Sequence, residues 1–199
     1  LGSLDRGVSG GNLTEREREQ AVWHLHFTCD LHDLADRQLL CESVIEDEAI
    51  KTSVFAELDK VLVEPGGVIA SATSSIPIST LGAATSDPGR VIGLHFFHPV
   101  PMLPLVELVT TPATADSTAE RAEAFAHDVL GKQVIRSADR SGFIVNSLLV
   151  PYLLAAIRMV ESGVASAEDI DKGMVLGCAH PIGPLRLADL VGLDTVKTI

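Results

Sequence analysis

Between Asn12 and Arg136, short apolar runs alternate with helical segments, and this alternation narrows the possible folds more than any other feature. Leu39 to Ile45, Val68 to Ser71, Val91 to Phe97, Leu105 to Thr110 and Gln133 to Arg136 read as short strands. Asp47 to Leu62 is a helix with Ile50, Val54, Leu58 and Val61 on one side, ended by Pro65-Gly66-Gly67. Ser79 to Thr85 forms a short helix before the turn Asp87-Pro88-Gly89. Ser117 and Glu120 stand in capping-box spacing and start a helix that Gly131 stops. Thr14 and Glu17 repeat that spacing ahead of the first strand, opening a helix whose apolar face is Ala21, Val22 and Leu25. Strands separated by helices imply an α/β domain with a largely parallel sheet.

After Gly142 the pattern is helical throughout. Phe143 to Glu161 reads as one long apolar helix, Ser166 caps another over Ala167 to Leu176, and Pro181-Ile182-Gly183-Pro184 interrupts before a third. The expected division is 1–141 and 142–199, with the second part small for an independent core. The longest apolar stretch, Leu148 to Ile157, contains Pro151 and is half the length a bilayer needs, so it reads as a core helix.

Asp plus Glu number 27 against 15 Lys plus Arg, a net charge of -12. That balance argues against nucleic acid or an anionic membrane as partner, because both are held by clustered basic faces. An anionic ligand has to be gripped by local donors. Cys29, Cys41 and Cys178 have no metal-site or CxxC spacing and read as buried, reduced thiols of a cytoplasmic protein. Leu1 to Asp5 do not read as a secretory leader, and no metal site is expected.

The segment richest in chemistry is His95-Phe96-Phe97-His98-Pro99-Val100-Pro101, followed by Leu105-Val106-Glu107. His95 ends a strand, where α/β sheets present catalytic groups, and a proline-rich turn can bring Glu107 back to it. Such a pair suits general-base work, and equally a structural hydrogen bond. Ser71-Ala72-Thr73-Ser74-Ser75 leaves a strand end as a hydroxyl-rich loop, able to bind a ligand or to cap the helix after it. Asn146 begins an apolar helix and needs buried partners. Glu46-Asp47-Glu48 is a ligand contact at the sheet edge or a solvated helix start. No G-x-G-x-x-G or G-x-x-x-x-G-K-[ST] occurs, and Gly7-Val8-Ser9-Gly10-Gly11 reads as a loop.

Taken in order, Ala70-Ser71-Ala72-Thr73-Ser74-Ser75-Ile76-Pro77, Gly93-Leu94-His95-Phe96-Phe97, Leu105-Val106-Glu107, Gly142-Phe143-Ile144-Val145-Asn146, His180-Pro181-Ile182-Gly183-Pro184 and Gly192-Leu193-Asp194-Thr195 resemble the L-3-hydroxyacyl-CoA dehydrogenases. The stand-alone bacterial 3-hydroxybutyryl-CoA dehydrogenases are the branch it resembles. The resemblance implies a Rossmann-type NAD-binding domain followed by a helical domain that mediates homodimerisation. It also implies reversible oxidation of an L-3-hydroxyacyl-CoA to the 3-ketoacyl-CoA. By that pattern His95 is the base, Glu107 orients it, and Ser74 and Asn146 hold the reacting oxygen or the thioester. Glu46, Lys51, Ser74 and His98 match cofactor-contacting positions, and Ser3 a serine touching CoA. Ala72 and His98 stand where the family has Asn, and Gly10 falls near where it has a CoA-holding basic residue. The first βαβ unit with its glycine-rich loop is expected before Leu1, and more of the helical domain after Ile199. A same-fold dehydrogenase of a free hydroxy acid and a non-catalytic interaction module remain alternatives.

Overall fold

The computed structural model describes residues 2–193 and 196; Leu1, Asp194, Thr195 and Ile199 of the passages above lie outside them. Five strands, β1 (Leu39–Glu42), β2 (Val68–Ser71), β3 (Val91–Phe96), β4 (Leu105–Thr110) and β5 (Gln133–Ala138), form one sheet in sequence order. The β1–β2, β2–β3 and β4–β5 pairs are parallel; β3–β4 is antiparallel.

Strand side chains alternate between faces, so each strand feeds two cores. On one face Leu40, Ile69, Val91 and Val109 pack with Phe55 and Leu58 of α3 (Glu48–Val61) and Ile78 and Leu81 of α4 (Ile78–Gly82). On the other, Ala70, Ile92, Leu94, Val106 and Leu108 meet Ala119 and Ala122 of α5 (Asp116–Ala124). Helices on both faces of a mostly parallel sheet make this a Rossmann-like layer, as expected. Gly93 lets α4 lie close: a Cβ there would stand 2.8 Å from Val109 Cβ and 2.9 Å from Ile78 Cδ1. The face that carries Leu40, Ile69 and Val109 also carries Glu42, Ser71, His95 and Glu107, all buried. Polar groups therefore replace apolar ones where that core reaches the carboxyl ends of β1 to β3.

Beyond the sheet, α6 (Val145–Glu161), α7 (Ala167–Cys178) and α8 (Pro184–Val191) pack around Leu153, Ala188 and Val196. Asp171 caps α8, accepting from the N–H groups of Leu185 at 2.8 Å and Arg186 at 3.1 Å. At the other end α1 (Gly2–Ser9) and α2 (Glu15–Trp23) form a hairpin without buried residues. The Thr14–Glu17 capping box is present in both directions.

Several expectations are corrected. Gly7 to Ser9 belong to α1, and only Gly10-Gly11 form a turn, with Gly11 at φ +72°. Ala21, Val22 and Leu25 are not core, because the described residues put nothing large over α2. β1 stops at Glu42, whose own carboxylate takes the Val44 N–H and turns the chain away. α5 starts one residue before Ser117, at an Ala115 cap without a side-chain bond; Thr118 donates instead to the Gly89 carbonyl. The serine loop does not cap α4. Asp139 does, with its two oxygens on the Ile78 and Ser79 N–H groups at 2.8 and 2.9 Å. The long helix begins at Val145, since Gly142 and Phe143 both take positive φ, 71° and 48°. In the stretch from Leu148 to Ile157 only Leu153 and Ala156 are buried, and Leu148 is 71% exposed. All three cysteines are exposed: Cys41 points away from the Leu40–Glu42 face, Cys29 lies in a loop, and Cys178 ends α7.

Candidate active site

His95 and Glu107 are twelve residues apart in sequence yet face each other as register partners across the antiparallel β3–β4 pair. Nδ1 of His95 lies 2.7 Å from Oε2 of Glu107, with both side chains almost fully buried. The connecting loop is tied down by Lys132, which donates to the carbonyls of Val100 at 2.6 Å and Leu103 at 2.8 Å. The imidazole sits against the rings of Phe97 and Phe143, at centroid distances of 4.7 and 5.3 Å. A carboxylate on Nδ1 selects the tautomer with its proton there, leaving the Nε2 lone pair free. Nε2 has no hydrogen-bond partner among the described residues.

Glu107 has a second task. Its Oε1 accepts from the N–H groups of Ile144 at 3.0 Å and Val145 at 2.9 Å, so it caps the start of α6. Burial alone would push this carboxyl up. The bonds from His95, Val145 and Ile144 outweigh it and hold Glu107 below the usual carboxylate range. The same carboxylate thus fixes the imidazole and anchors the helix that brings in Asn146. Asn146 is buried, but its side chain has no hydrogen bond among the described residues, contrary to the expected buried partners.

The serine loop leaves β2 beside β3 and folds onto an acid. Oε1 of Glu46 accepts from Ser74 N at 3.1 Å, Ser75 N at 3.2 Å and Ser75 Oγ at 2.9 Å, and also from Thr73 Oγ1. Burial opposes ionisation of Glu46, but the bonds from Thr73 and Ser75 and the Lys51 charge hold it below its ordinary value. The Ser74 hydroxyl itself has no protein partner among the described residues. Asp47 caps α3 through the Ile50 N–H, so of the three acids only Glu46 reaches the loop.

Lys51 is not at a surface. It is 1% exposed, and its ammonium bonds Glu42 Oε1 at 2.7 Å and the Val44 carbonyl at 3.2 Å, with Glu46 Oε2 at 3.3 Å. Glu42 was not singled out from sequence, although it shares a strand face with Leu40 and an acid there demands a partner. His98 is exposed just past β3, and Ser3 is exposed on α1, accepting from Arg6 at 3.0 Å. Neither is hydrogen-bonded to the dyad. No cluster that could hold a metal exists among the described residues.

Three polar groups without partners among the described residues, His95 Nε2, Ser74 Oγ and the Asn146 amide, thus lie on elements meeting at the carboxyl edge of a doubly covered, mostly parallel sheet. That is where such folds bind nucleotides and substrates, so the donor set fits a dinucleotide-linked dehydrogenase. Comparison with known proteins gives the family. The model of the 3-hydroxyacyl-CoA dehydrogenase NAD binding domain matches residues 2–140, and that of the family's C-terminal domain matches 142–199. The chain belongs to the 3-hydroxyacyl-CoA dehydrogenase family, whose members oxidise with NAD. A 3-hydroxybutyryl-CoA dehydrogenase of Mycobacterium tuberculosis is 64% identical over 197 residues, 99% of this chain and 69% of that protein. The crystal structure of M. tuberculosis FadB2 superposes with a TM-score of 0.95 at 64% identity, covering 98% of this chain and 68% of that one. An (S)-3-hydroxybutyryl-CoA dehydrogenase from Ralstonia eutropha gives 0.93 at 41% identity, covering 99% and 69%.

Proposed function

We propose that this chain carries the site at which the 3-hydroxyl of a short-chain L-3-hydroxyacyl-CoA, such as 3-hydroxybutyryl-CoA, is reversibly oxidised to the ketone. The observation that carries the reading is a buried imidazole held by a buried carboxylate, with its second nitrogen unpartnered. When bound, NAD supplies the hydride acceptor at its nicotinamide ring. The neutral Nε2 of His95 takes the 3-hydroxyl proton, and Glu107 stabilises the imidazolium that results. In the reverse direction the same nitrogen returns the proton to the carbonyl oxygen. Ser74 Oγ and the Asn146 amide donate to the reacting oxygen or to the thioester carbonyl, where charge develops. Glu46, Lys51, Ser74 and His98 border the cofactor, and Ser3 borders CoA. In this reading 1–141 is the cofactor part and 142–199 the helical part.

We also propose a cytoplasmic homodimer formed through the helical part. Leu148, Leu176 and Leu190 are each more than two-thirds exposed, which supports a covered face there. No helix among the described residues is long and apolar enough to cross a membrane. The substrate class is tested by comparing acetoacetyl-CoA with free acetoacetate as acceptor of hydride from NADH. The thioester is expected to react faster by about 10²-fold or more, because CoA binding energy is spent at the reacting centre. Equal rates would point to a free hydroxy acid instead.

A further inference from the structure

The chain crosses from the sheet to the helical part over residues 139–145, and a carboxylate is engaged at each end of the crossing. At the exit, Glu107 Oε1 accepts from Ile144 N at 3.0 Å and Val145 N at 2.9 Å. At the entry, Asp139 directly follows β5 and accepts from Ile78 N at 2.8 Å and Ser79 N at 2.9 Å, one oxygen to each. These are the first two N–H groups of α4, whose own cap residue is Pro77 and makes no side-chain bond to them. Asp139 has no other hydrogen-bond or ion-pair partner among the described residues. Only Ile76 and Pro77 separate this capped turn from Ser75. Pro77 holds φ at −59°, and Ile76 is buried in the same core as Ile78. The serine loop is therefore gripped twice, by Glu46 at Ser74 and Ser75 and by Asp139 just beyond them.

We propose that Asp139 is a positioning residue for the reaction: it ties the serine loop to the crossing that delivers Asn146, so that Ser74 Oγ and the Asn146 amide face the same substrate atoms. The two groups come from separate segments, one leaving β2 and the other entering α6, and no hydrogen bond joins their side chains among the described residues. Asp139 supplies a direct tie between these segments, in addition to the sheet between β2 and β4. The crossing is tight enough to carry it. Gly142 and Phe143 take φ of 71° and 48°, Phe143 N donates to the Arg140 carbonyl at 2.9 Å, and Ser147 N to that of Gly142 at 3.0 Å. Bonds from N–H groups to an ionised carboxylate are the stronger kind, and Asp139 makes two of them to one turn. Without them the start of α4 loosens, while the sheet and the hold of Glu46 on the loop remain. The damage therefore falls on the reaction more than on the fold.

The proposal rests on the role given to Ser74 above, and a double-mutant cycle keeps the two claims apart. Asp139→Ala, Asp139→Asn, Ser74→Ala and the double variant Asp139→Ala/Ser74→Ala are prepared in the full-length protein. Their kcat and KM are measured with acetoacetyl-CoA and NADH, and their urea midpoints are recorded beside them. Ser74→Ala alone is expected to lower kcat by about 10²-fold, the size of losing one aimed donor. Asp139→Ala is expected to lower kcat by about tenfold through misplacement of that donor, with KM for NADH changed by less than about twofold. Asp139→Asn keeps one acceptor oxygen and should fall between Asp139→Ala and the parent, and the double variant should be no slower than Ser74→Ala. A folded Asp139→Ala enzyme with a lowered urea midpoint and a parental kcat would make Asp139 a helix cap alone and overturn the proposal. Losses that multiply in the double variant would overturn it too. A parent inactive on acetoacetyl-CoA, or a Ser74→Ala enzyme of normal rate, would instead overturn the reading on which it rests. Should Asp139→Ala fail to fold, Asp139→Asn carries the same cycle, with an expected loss in kcat of about threefold.

Discussion

Glu107→Gln separates the two tasks of the buried carboxylate. The amide oxygen of glutamine can stay where Oε1 now accepts from Ile144 and Val145, so the cap on α6 persists with neutral bonds. The amide nitrogen then faces His95 Nδ1, which must become an acceptor. That moves the imidazole proton to Nε2 and removes the lone pair that the proposed proton transfer uses. A misplaced general base costs about 10²–10⁴ in rate. On the stability side, three charge-assisted bonds worth roughly 1.5–3 kcal/mol each become neutral ones of about 1 kcal/mol. Relief of burying a charge offsets part of this, so the net loss is about 1–3 kcal/mol. Glu107→Ala orphans two N–H groups at the helix start as well and is expected to cost about 2–6 kcal/mol. Steady-state reduction of acetoacetyl-CoA by NADH gives the rates, and urea denaturation the stabilities. A glutamine variant within about threefold of the parent rate would refute the claim that the carboxylate sets the base.

Acid should destabilise the protein through the same group. Glu107 and Glu46 both lie below their ordinary values, so their contribution is fully present above about pH 4.5, near the unfolded carboxylate value, and is lost as pH falls through the folded ones. Urea midpoints measured from pH 7 down to 3 should therefore fall, and a flat profile would contradict the hydrogen-bond assignments. Gly142→Ala places a Cβ 2.9 Å from the Ser147 nitrogen at φ +71°, with an expected loss of about 2 kcal/mol and a slower kcat, since α6 is displaced from Glu107. Parental stability and rate in that variant would show that the turn before α6 tolerates side chains.

The order of strands and helices was legible because period-two and helical patterns are local properties. So was the His95–Glu107 pairing, since two short strands joined by a proline-rich turn have few ways to fold back. What sequence did not show depends on groups that meet only in the fold. Asp139 caps a helix 61 residues earlier, and no local pattern at Ile78 points to it. Ser117 and Glu120 have capping spacing, yet Thr118 is drawn to the Gly89 carbonyl and the helix starts around it. Lys51 matches a cofactor-contacting position, but its buried bond to Glu42 was not foreseen. That signal was present, because an acid two residues from Leu40 must face the same core.

The proposed chemistry turns on His95. In the full-length protein, His95→Gln should bind NADH as the parent does, by fluorescence titration, while kcat for acetoacetyl-CoA reduction falls by about 10²–10⁴-fold. A variant that binds NADH and retains a near-parental kcat would contradict the assignment of His95 as the base.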